Sequence, residues 1–181
     1  MNYIYGTLSI FKERFLNLNL FKNMSVPRIY PHLPILEQYR HFYAPPTQII
    51  PGLYLGSSFN SYNIDEYKEN KIKTIINITE EIPNYYESKI RYYKYAIKDD
   101  GNDDITDVLI ETSHIINNSL SSGKNVFVHC YMGASRSASV VVYYLVRHHN
   151  MSLTDAINFV KSKRDVVNIS YKFYNELLEI V

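Results

Sequence analysis

The residues with the clearest chemical potential lie in one short stretch of the chain. It contains a histidine, a cysteine, a glycine, an arginine and a serine at close spacing: His129, Cys130, Gly133, Arg136 and Ser137. A thiolate is a strong nucleophile, and a guanidinium can hold two phosphoryl oxygens through paired N–H donors. Gly133 would let the backbone approach a ligand closely, and the Ser137 hydroxyl could donate a hydrogen bond to a departing thiolate. This spacing therefore predicts a phosphate-binding loop that carries its own nucleophile.

A strand and a helix must flank this loop. Residues 126–128 are β-branched or aromatic, which is typical of a buried strand, and residues 138–146 are apolar almost all round, as in a core helix. The turn between them would direct backbone N–H groups and the positive end of the helix dipole at one point. That field suits a phosphate dianion and favours the thiolate form of Cys130. Taken singly, each residue could instead be structural, but their joint spacing argues for the loop.

The stretch from residue 129 to residue 137 reads His-Cys-x-x-Gly-x-Ser-Arg-Ser. It resembles the signature of cysteine-dependent dual-specificity protein phosphatases, and its residue choices are those that the slingshot-like and small atypical members share. Two upstream segments, Ile-Pro-Gly-Leu-Tyr-Leu-Gly-Ser at residues 50–57 and Ile-Ile-Asn-Ile-Thr at residues 75–79, are similar to the opening of that domain. The resemblance covers about residues 48–180 and leaves the preceding part of the chain without an explanation.

The resemblance implies a role for each residue of the motif. Cys130 would be the nucleophile, and Arg136 would clamp the phosphate. Ser137 would ease the departure of the thiolate. His129 would adjust the reactivity of the cysteine without contacting the substrate. The substrate-binding residues, whose backbone N–H groups would hold the phosphate, are Tyr131, Met132, Gly133, Ala134, Ser135 and Arg136.

An acidic loop at residues 98–105 precedes the motif. It does not match a calcium-binding EF-hand, because no glycine stands at the sixth position from Asp99 or Asp100, where this pattern needs one. A general-acid loop is the better interpretation, since transfer to a thiolate requires a proton for the leaving oxygen and later a base for water. Counting as the resemblance implies selects Asp99, 31 residues before Cys130, with Asp100 as the alternative. The two later aspartates fit a solvated loop and a helix cap.

The resemblance implies a protein phosphatase that hydrolyses phosphotyrosine and phosphoserine/threonine through a phosphocysteine intermediate. Its partner would be a phosphoprotein, and the short domain leaves little room for a deep, tyrosine-selective pocket. No metal or other cofactor is expected, because the loop supplies the positive field that magnesium supplies elsewhere. Two alternatives use the same fold. An RNA 5′-triphosphatase usually carries Arg-Thr in the loop and a basic surround, and a non-enzymatic phosphoprotein-binding module would be expected to have lost the cysteine.

Charge and cysteine usage limit the partners and the compartment. Nineteen basic and eighteen acidic residues give a formal net charge of +1, so the composition favours no nucleic-acid partner. Cys130 is the only cysteine in the sequence, which precludes an intramolecular disulfide and favours a reducing, intracellular and cytoplasmic location. The N-terminal stretch is too short and too charged for a transmembrane segment and lacks the features of a signal peptide.

The sequence divides into three regions. Residues 1–25 carry apolar residues at helical spacing and are expected to form a helical extension. Residues 26–47 are rich in proline and are expected to form an extended linker, and residues 48–181 form the expected catalytic domain. The apolar stripe of the extension could dock on its own domain, pair with a second copy in a homodimer, or lie on a membrane surface.

The predicted fold is α/β, with a mixed, mostly parallel sheet of about five strands flanked by helices and the site at the carboxyl end of the strands. Besides the central strand and helix, a strand or hairpin is expected over 48–56, and strands are expected over 73–78 and 90–97. Further helices are expected over 61–70, 105–123 and 152–163, and from residue 170. The family often has Arg-Pro and then Pro-Asn where this chain has Arg164-Asp165 and Ile169-Ser170. Whether this segment supports the phosphate loop is therefore left open.

Overall fold

The computed structural model describes residues 40–100 and 102–181. The predicted N-terminal extension and most of the predicted linker lie outside these described residues. After residue 43, the strands and helices follow in this order: β1 (Thr47–Ile50), β2 (Leu53–Gly56), α1 (Ser58–Ser61), α2 (Ile64–Glu69), β3 (Ile72–Asn77), β4 (Arg91–Lys94), α3 (Thr106–Ser121), β5 (Asn125–His129), α4 (Arg136–His149), α5 (Leu153–Lys163) and α6 (Tyr171–Ile180). No helix in this part of the chain has the length and apolar character needed to cross a bilayer.

The strands form one five-stranded sheet in the order β1-β2-β5-β3-β4. β1 is antiparallel to β2, and the other three pairings are parallel. β5 lies in the middle of the sheet, and its residues 126–129 are buried, as expected where both faces of a parallel strand are covered. These pairings confirm the predicted mixed, mostly parallel sheet, and they bring the carboxyl ends of β2, β3 and β5 to one edge.

Helix α4 is the most deeply buried helix element beside the sheet. All of its residues from Arg136 to Leu145 are buried, which matches the apolar run that predicted a core helix. It packs against α3, α5 and α6. It ends at His149 and is capped by Asn150, whose φ of 54° is a left-handed conformation that asparagine tolerates at helix ends. Because α4 is held on several sides, its first residue, Arg136, has a fixed position at the edge of the sheet.

Two predicted elements differ from the observed ones. The helix expected over 61–70 is divided into α1 and α2, because the side chain of Asn63 accepts the N–H groups of Asp65 and Glu66 and so starts a new helix. The strand expected over 90–97 ends at Lys94, since Lys94 pairs with Asn77, the last residue of β3. The last two helices begin where they were predicted, at the caps Ser152 and Ser170.

The predicted extended linker over 26–47 is wrong at its described end. Residues 40–43 are helical rather than extended. The reason is Phe42, which is only 1% exposed and packs its ring 6.2 Å from that of Phe59 and 5.7 Å from that of Tyr131. Burying a phenylalanine side chain stabilises the folded state by about 2 kcal/mol. An extended linker that left Phe42 exposed to water would not gain this stabilisation. This segment is therefore packed against the residues around the loop and α1 rather than extended from them.

Candidate active site

The phosphate loop, residues 130–135, joins β5 to the first residue of α4. Its glycine, Gly133, has a φ of 70°, which is the left-handed region that glycine adopts without strain. A Cβ atom at this position would also lie 2.4 Å from the carbonyl oxygen of Gly56 at the end of β2. Any other residue would push the loop away from the sheet, so the predicted need for glycine has a direct structural reason.

The carbonyl groups of this loop are all bonded to partners outside it. Four consecutive carbonyls accept hydrogen bonds, from Ser58 N to Tyr131 O at 2.9 Å, from Arg164 Nη2 to Met132 O at 3.0 Å, from Arg164 Nε to Gly133 O at 2.9 Å and from Asn168 N to Ala134 O at 2.9 Å. The described peptide bonds are all trans, so each following N–H group points away from its carbonyl. The N–H groups of residues 132–135 are therefore turned to the opposite side, where an anion could bind them.

Cys130 lies on that opposite side, at the start of the loop. Its Sγ accepts a hydrogen bond from the N–H of Gly133 at 3.3 Å and another from the Oγ of Ser137 at 3.1 Å. Hydrogen bonds to a charged acceptor are stronger than those to a neutral one, so both donors are placed to stabilise negative charge on the sulfur during a reaction. The side chains of Met132 and Ala134 are buried, which leaves mainly their backbone N–H groups to face a ligand.

The segment after α5 supports the loop, which answers the question that its departure from the family pattern left open. Arg164 is only 3% exposed and makes both of the guanidinium contacts to loop carbonyls described above. Its Nη2 also donates to His41 O at 3.2 Å. Ser170 N donates to the Oγ of Ser135 at 3.2 Å. The supporting hydrogen bonds come from an arginine and from the backbone, so the missing prolines are not needed for them.

Replacing Arg164 by methionine should destabilise the protein and weaken phosphate binding. The methionine has a similar volume but would leave the carbonyls of His41, Met132 and Gly133 without their guanidinium donor, at a cost of about 3 kcal/mol or more. Urea unfolding measures the change in the free energy of unfolding. The matched control is Arg147→Met at the exposed end of α4, where we expect a change of less than about 0.5 kcal/mol. Equal stability of the two variants would contradict this role.

The two candidate acids occupy different environments. Asp99 faces the loop: its Oδ1 accepts a hydrogen bond from Ser135 Oγ at 3.1 Å, and its Oδ2 lies 3.7 Å from Arg136 Nε. Burial raises the pKa of Asp99, although Arg136 and the Ser135 hydrogen bond oppose the shift. Asp100 is exposed, and its Oδ1 accepts a hydrogen bond from the N–H of Asn102 at 3.0 Å. This hydrogen bond lowers the pKa of Asp100. Of the two carboxyl groups, only that of Asp99 has both the position and the raised pKa of a proton donor.

His129 is completely buried behind the cysteine. Burial lowers its pKa to about 3, so the imidazole is neutral at physiological pH. Its Nδ1 lies 3.4 Å from the carbonyl oxygen of Cys130, and its ring stacks on Phe127 at 5.4 Å between centroids. Because a carbonyl only accepts, this contact places the ring proton on Nδ1. The histidine can therefore orient the backbone at the cysteine, but it adds no positive charge there.

Arg136 is held by a residue that the sequence did not single out. Its Nη1 and Nη2 donate to the two carboxylate oxygens of Glu81 at 3.3 and 3.1 Å, and Nη1 also donates to Ile97 O at 2.9 Å. Burial opposes the charge of Arg136, yet the neighbouring Cys130, Glu81 and Asp99 together raise its pKa. The guanidinium is thus charged and fixed in place beside the sulfur.

Sequence reasoning missed Glu81 and the supporting role of Arg164. A weak signal existed for Glu81, since it follows a buried strand at the edge of the sheet where ligands bind in α/β folds. Arg164 gave no such signal, because its partners lie far from it in the sequence. In the part of the chain that the structure describes, no cluster of three histidine, cysteine or acidic side chains is arranged to hold a metal ion.

Comparison with known proteins agrees with this geometry. The model of the family described as "Dual specificity phosphatase, catalytic domain" matches residues 53–181, which is more than half of the chain. The chain therefore belongs to the dual-specificity phosphatase family, as its signature loop predicted. It is 36% identical over 132 residues to a Slingshot homolog protein phosphatase of Xenopus laevis, and 33% identical over 134 residues to human dual specificity protein phosphatase 1.

These alignments cover 73% and 74% of this chain, but only 19% and 36% of the respective relatives. The chain thus spans well under half of the length of these two relatives. Among solved structures it resembles human DUSP28, with 26% identity and a TM-score of 0.72 over 75% of this chain and 92% of that one. It also resembles the human tyrosine phosphatase-like serine/threonine/tyrosine-interacting protein, with 28% identity and a TM-score of 0.70 over 74% and 93% of the two chains. These likenesses confirm the predicted fold class.

Proposed function

We propose that this chain hydrolyses phosphotyrosine and phosphoserine/threonine on proteins through a phosphocysteine intermediate. The observation that carries the proposal is the anchoring of four consecutive carbonyls of the phosphate loop to outside partners. It turns a row of N–H groups to the side where Cys130 and the Arg136 guanidinium lie. A preorganised set of donors around a nucleophile stabilises the charge of a transferring phosphoryl group at no further cost in reorganisation.

In the first step, the thiolate of Cys130 attacks the phosphorus in line with the leaving oxygen. The S–P bond forms as the P–O bond to the substrate side chain breaks, and Arg136 and the loop N–H groups hold the equatorial oxygens. Asp99 gives its proton to the departing oxygen and becomes a carboxylate. The products of this step are the dephosphorylated side chain and a phosphocysteine.

In the second step, water attacks the phosphocysteine. Asp99, now ionised, accepts a proton from the water, and the S–P bond breaks to release inorganic phosphate. Ser137 stabilises the departing thiolate, in keeping with its 3.1 Å hydrogen bond to Sγ. The cycle ends with the thiolate and the protonated Asp99 restored. His129 takes no part in proton transfer and serves to orient the backbone at the cysteine.

The substrate is proposed to bind mainly through its phosphate. Within the phosphate loop, Tyr131 presents a partly exposed side chain that could contact the residues around a phosphorylated side chain, whereas Ser135 is buried and bonded to Asp99.

A phosphoprotein partner and a reducing, cytoplasmic location remain part of this proposal, the latter because the sequence contains a single thiol. A homodimer through residues 1–25 also stays a prediction.

The proposal is tested by phosphate release, in EDTA, from peptides bearing phosphothreonine or phosphotyrosine. Release from both peptides by the wild-type chain, and from neither by Cys130→Ser, is the expected result. Tight binding of both peptides without release would instead favour a phosphoprotein-binding module. Release only from a 5′-triphosphorylated RNA would favour the RNA 5′-triphosphatase.

A further inference from the structure

We propose that Glu81 is a positioning residue that holds the Arg136 guanidinium so that one particular edge of it faces the phosphate. This inference rests on the proposed function, because it concerns the clamp of the same site. Glu81 accepts hydrogen bonds from both terminal nitrogens of the arginine, at 3.3 and 3.1 Å. A paired contact of this kind fixes the plane of the guanidinium as well as its distance.

Counting the five N–H donors of Arg136 shows which edge is left for a ligand. Nη1 uses both of its donors, on Glu81 and on the carbonyl of Ile97, and Nη2 uses one on Glu81. Nε is buried and has no hydrogen-bond partner among the described residues. The remaining donors are therefore the N–H of Nε and one N–H of Nη2, which lie on the same edge of the guanidinium and can bind two oxygens together.

The free edge faces the region where the phosphoryl group must react. Nε lies 3.7 Å from Oδ2 of Asp99, which is too far for a good hydrogen bond but close enough for both groups to contact one phosphoryl group. A buried donor without a partner costs free energy that a bound phosphate oxygen would recover. Glu81 thus binds the edge that faces away from the reaction and leaves the reactive edge for the substrate.

The position of Glu81 also affects the acid. Burial is the largest cause of the raised pKa of Asp99 and of the raised pKa of Tyr131. The negative charge of Glu81 raises both pKa values further. Removing the charge should therefore lower the pKa of Asp99 while leaving the carboxyl group in place. A residue that only stabilised the fold would not shift the pH dependence of the rate in this way.

The test compares Glu81→Gln with the matched control Glu80→Gln. Glu80 is the adjacent glutamate, is 56% exposed in its side chain and pairs with Lys98 at 3.6 Å. Calorimetric titration with inorganic phosphate needs no turnover, so it tests the clamp even if the proposed function fails. We expect Glu81→Gln to bind phosphate at least about tenfold more weakly, because a misplaced Arg136 guanidinium can no longer bind two phosphate oxygens together. Glu80→Gln should bind as the wild type does.

Two further readouts separate positioning from structure. With an aryl phosphate as substrate, the alkaline limb of the kcat/KM profile should move to lower pH in Glu81→Gln and stay unchanged in Glu80→Gln. The midpoint of urea unfolding checks that the variant is folded, which we expect since the Glu81 side chain is 43% exposed. If folded Glu81→Gln binds phosphate as tightly as the wild type, or more tightly, then Glu81 at most competes with phosphate for the Arg136 guanidinium. That result would overturn the inference.

Discussion

Replacing Cys130 by serine should lower the turnover rate by about 10⁴-fold or more, because the variant loses the nucleophile itself. A serine hydroxyl must give up its proton before it can attack, whereas the thiolate of the proposed mechanism needs no base. The donors on Sγ, Gly133 N–H and Ser137 Oγ, are arranged to stabilise an anion that serine does not provide at neutral pH. Phosphate release from a phosphotyrosine peptide, followed at saturating substrate, measures this loss.

The same variant should keep its affinity for the phosphopeptide. The loop carbonyls remain anchored by Ser58, Arg164 and Asn168, so the N–H groups keep their direction. Rapid acid quenching with radiolabelled substrate provides a second measurement. It should trap a covalent phosphoenzyme from the wild type and none from Cys130→Ser. A phosphoenzyme in the variant, or turnover within tenfold of the wild type, would place the nucleophile elsewhere.

Replacing Asp99 by asparagine should slow the hydrolysis of poor leaving groups by about 10²- to 10⁴-fold, which is the usual contribution of a general acid. Asparagine can still accept the hydrogen bond from Ser135 but has no proton to give to an alkoxide. A good leaving group, such as a nitrophenolate, needs little protonation and should suffer much less in the first step. Steady-state rates on phosphothreonine and nitrophenyl substrates give this comparison.

Asp100→Asn is the matched control for this prediction. Its side chain is exposed and bonded to its own loop, so its loss should change the rates by less than about threefold. A large effect at Asp100 and a small one at Asp99 would reverse the assignment of the acid.

The pH dependence follows from the sign of the shift at Asp99. Its pKa is raised, so the carboxyl keeps its proton to a higher pH than an ordinary aspartate does. Since the first step needs the protonated acid, kcat/KM should fall as the pH rises through this pKa. Asp99→Asn should lose this alkaline limb. A profile with the limb unchanged in the variant would mean that another group supplies the proton.

The fold could be predicted from the sequence because its signals are local. The apolar runs of β5 and α4, with the loop motif between them, predicted a strand, a turn and a buried helix in the positions observed. The comparisons then confirmed the family. The errors in the elements also have local causes, such as the cap at Asn63 and the buried Phe42 in a segment rich in proline.

The partners within the site could not be predicted, because they depend on contacts between distant segments. Counting along the sequence selected Asp99 with Asp100 as the alternative, and it is the different contacts and burial of the two side chains in the folded chain that favour Asp99. Glu81 and Glu80 are likewise identical in type and adjacent in sequence, yet one is paired with Arg136 and the other with Lys98. A one-residue difference in a loop decides which side chain faces the site.

The anchoring of the phosphate loop has a consequence for how activity is gained during folding. The hydrogen bonds of Arg164 join residues separated by 31 positions at Gly133 and by 123 positions at His41. Such non-local contacts form late, because a long stretch of chain must first be closed into a loop. A peptide that contains only residues 126–146 should therefore show no preference for phosphate. In a refolding experiment, catalytic competence should appear together with the last cooperative phase, after most secondary structure has already formed.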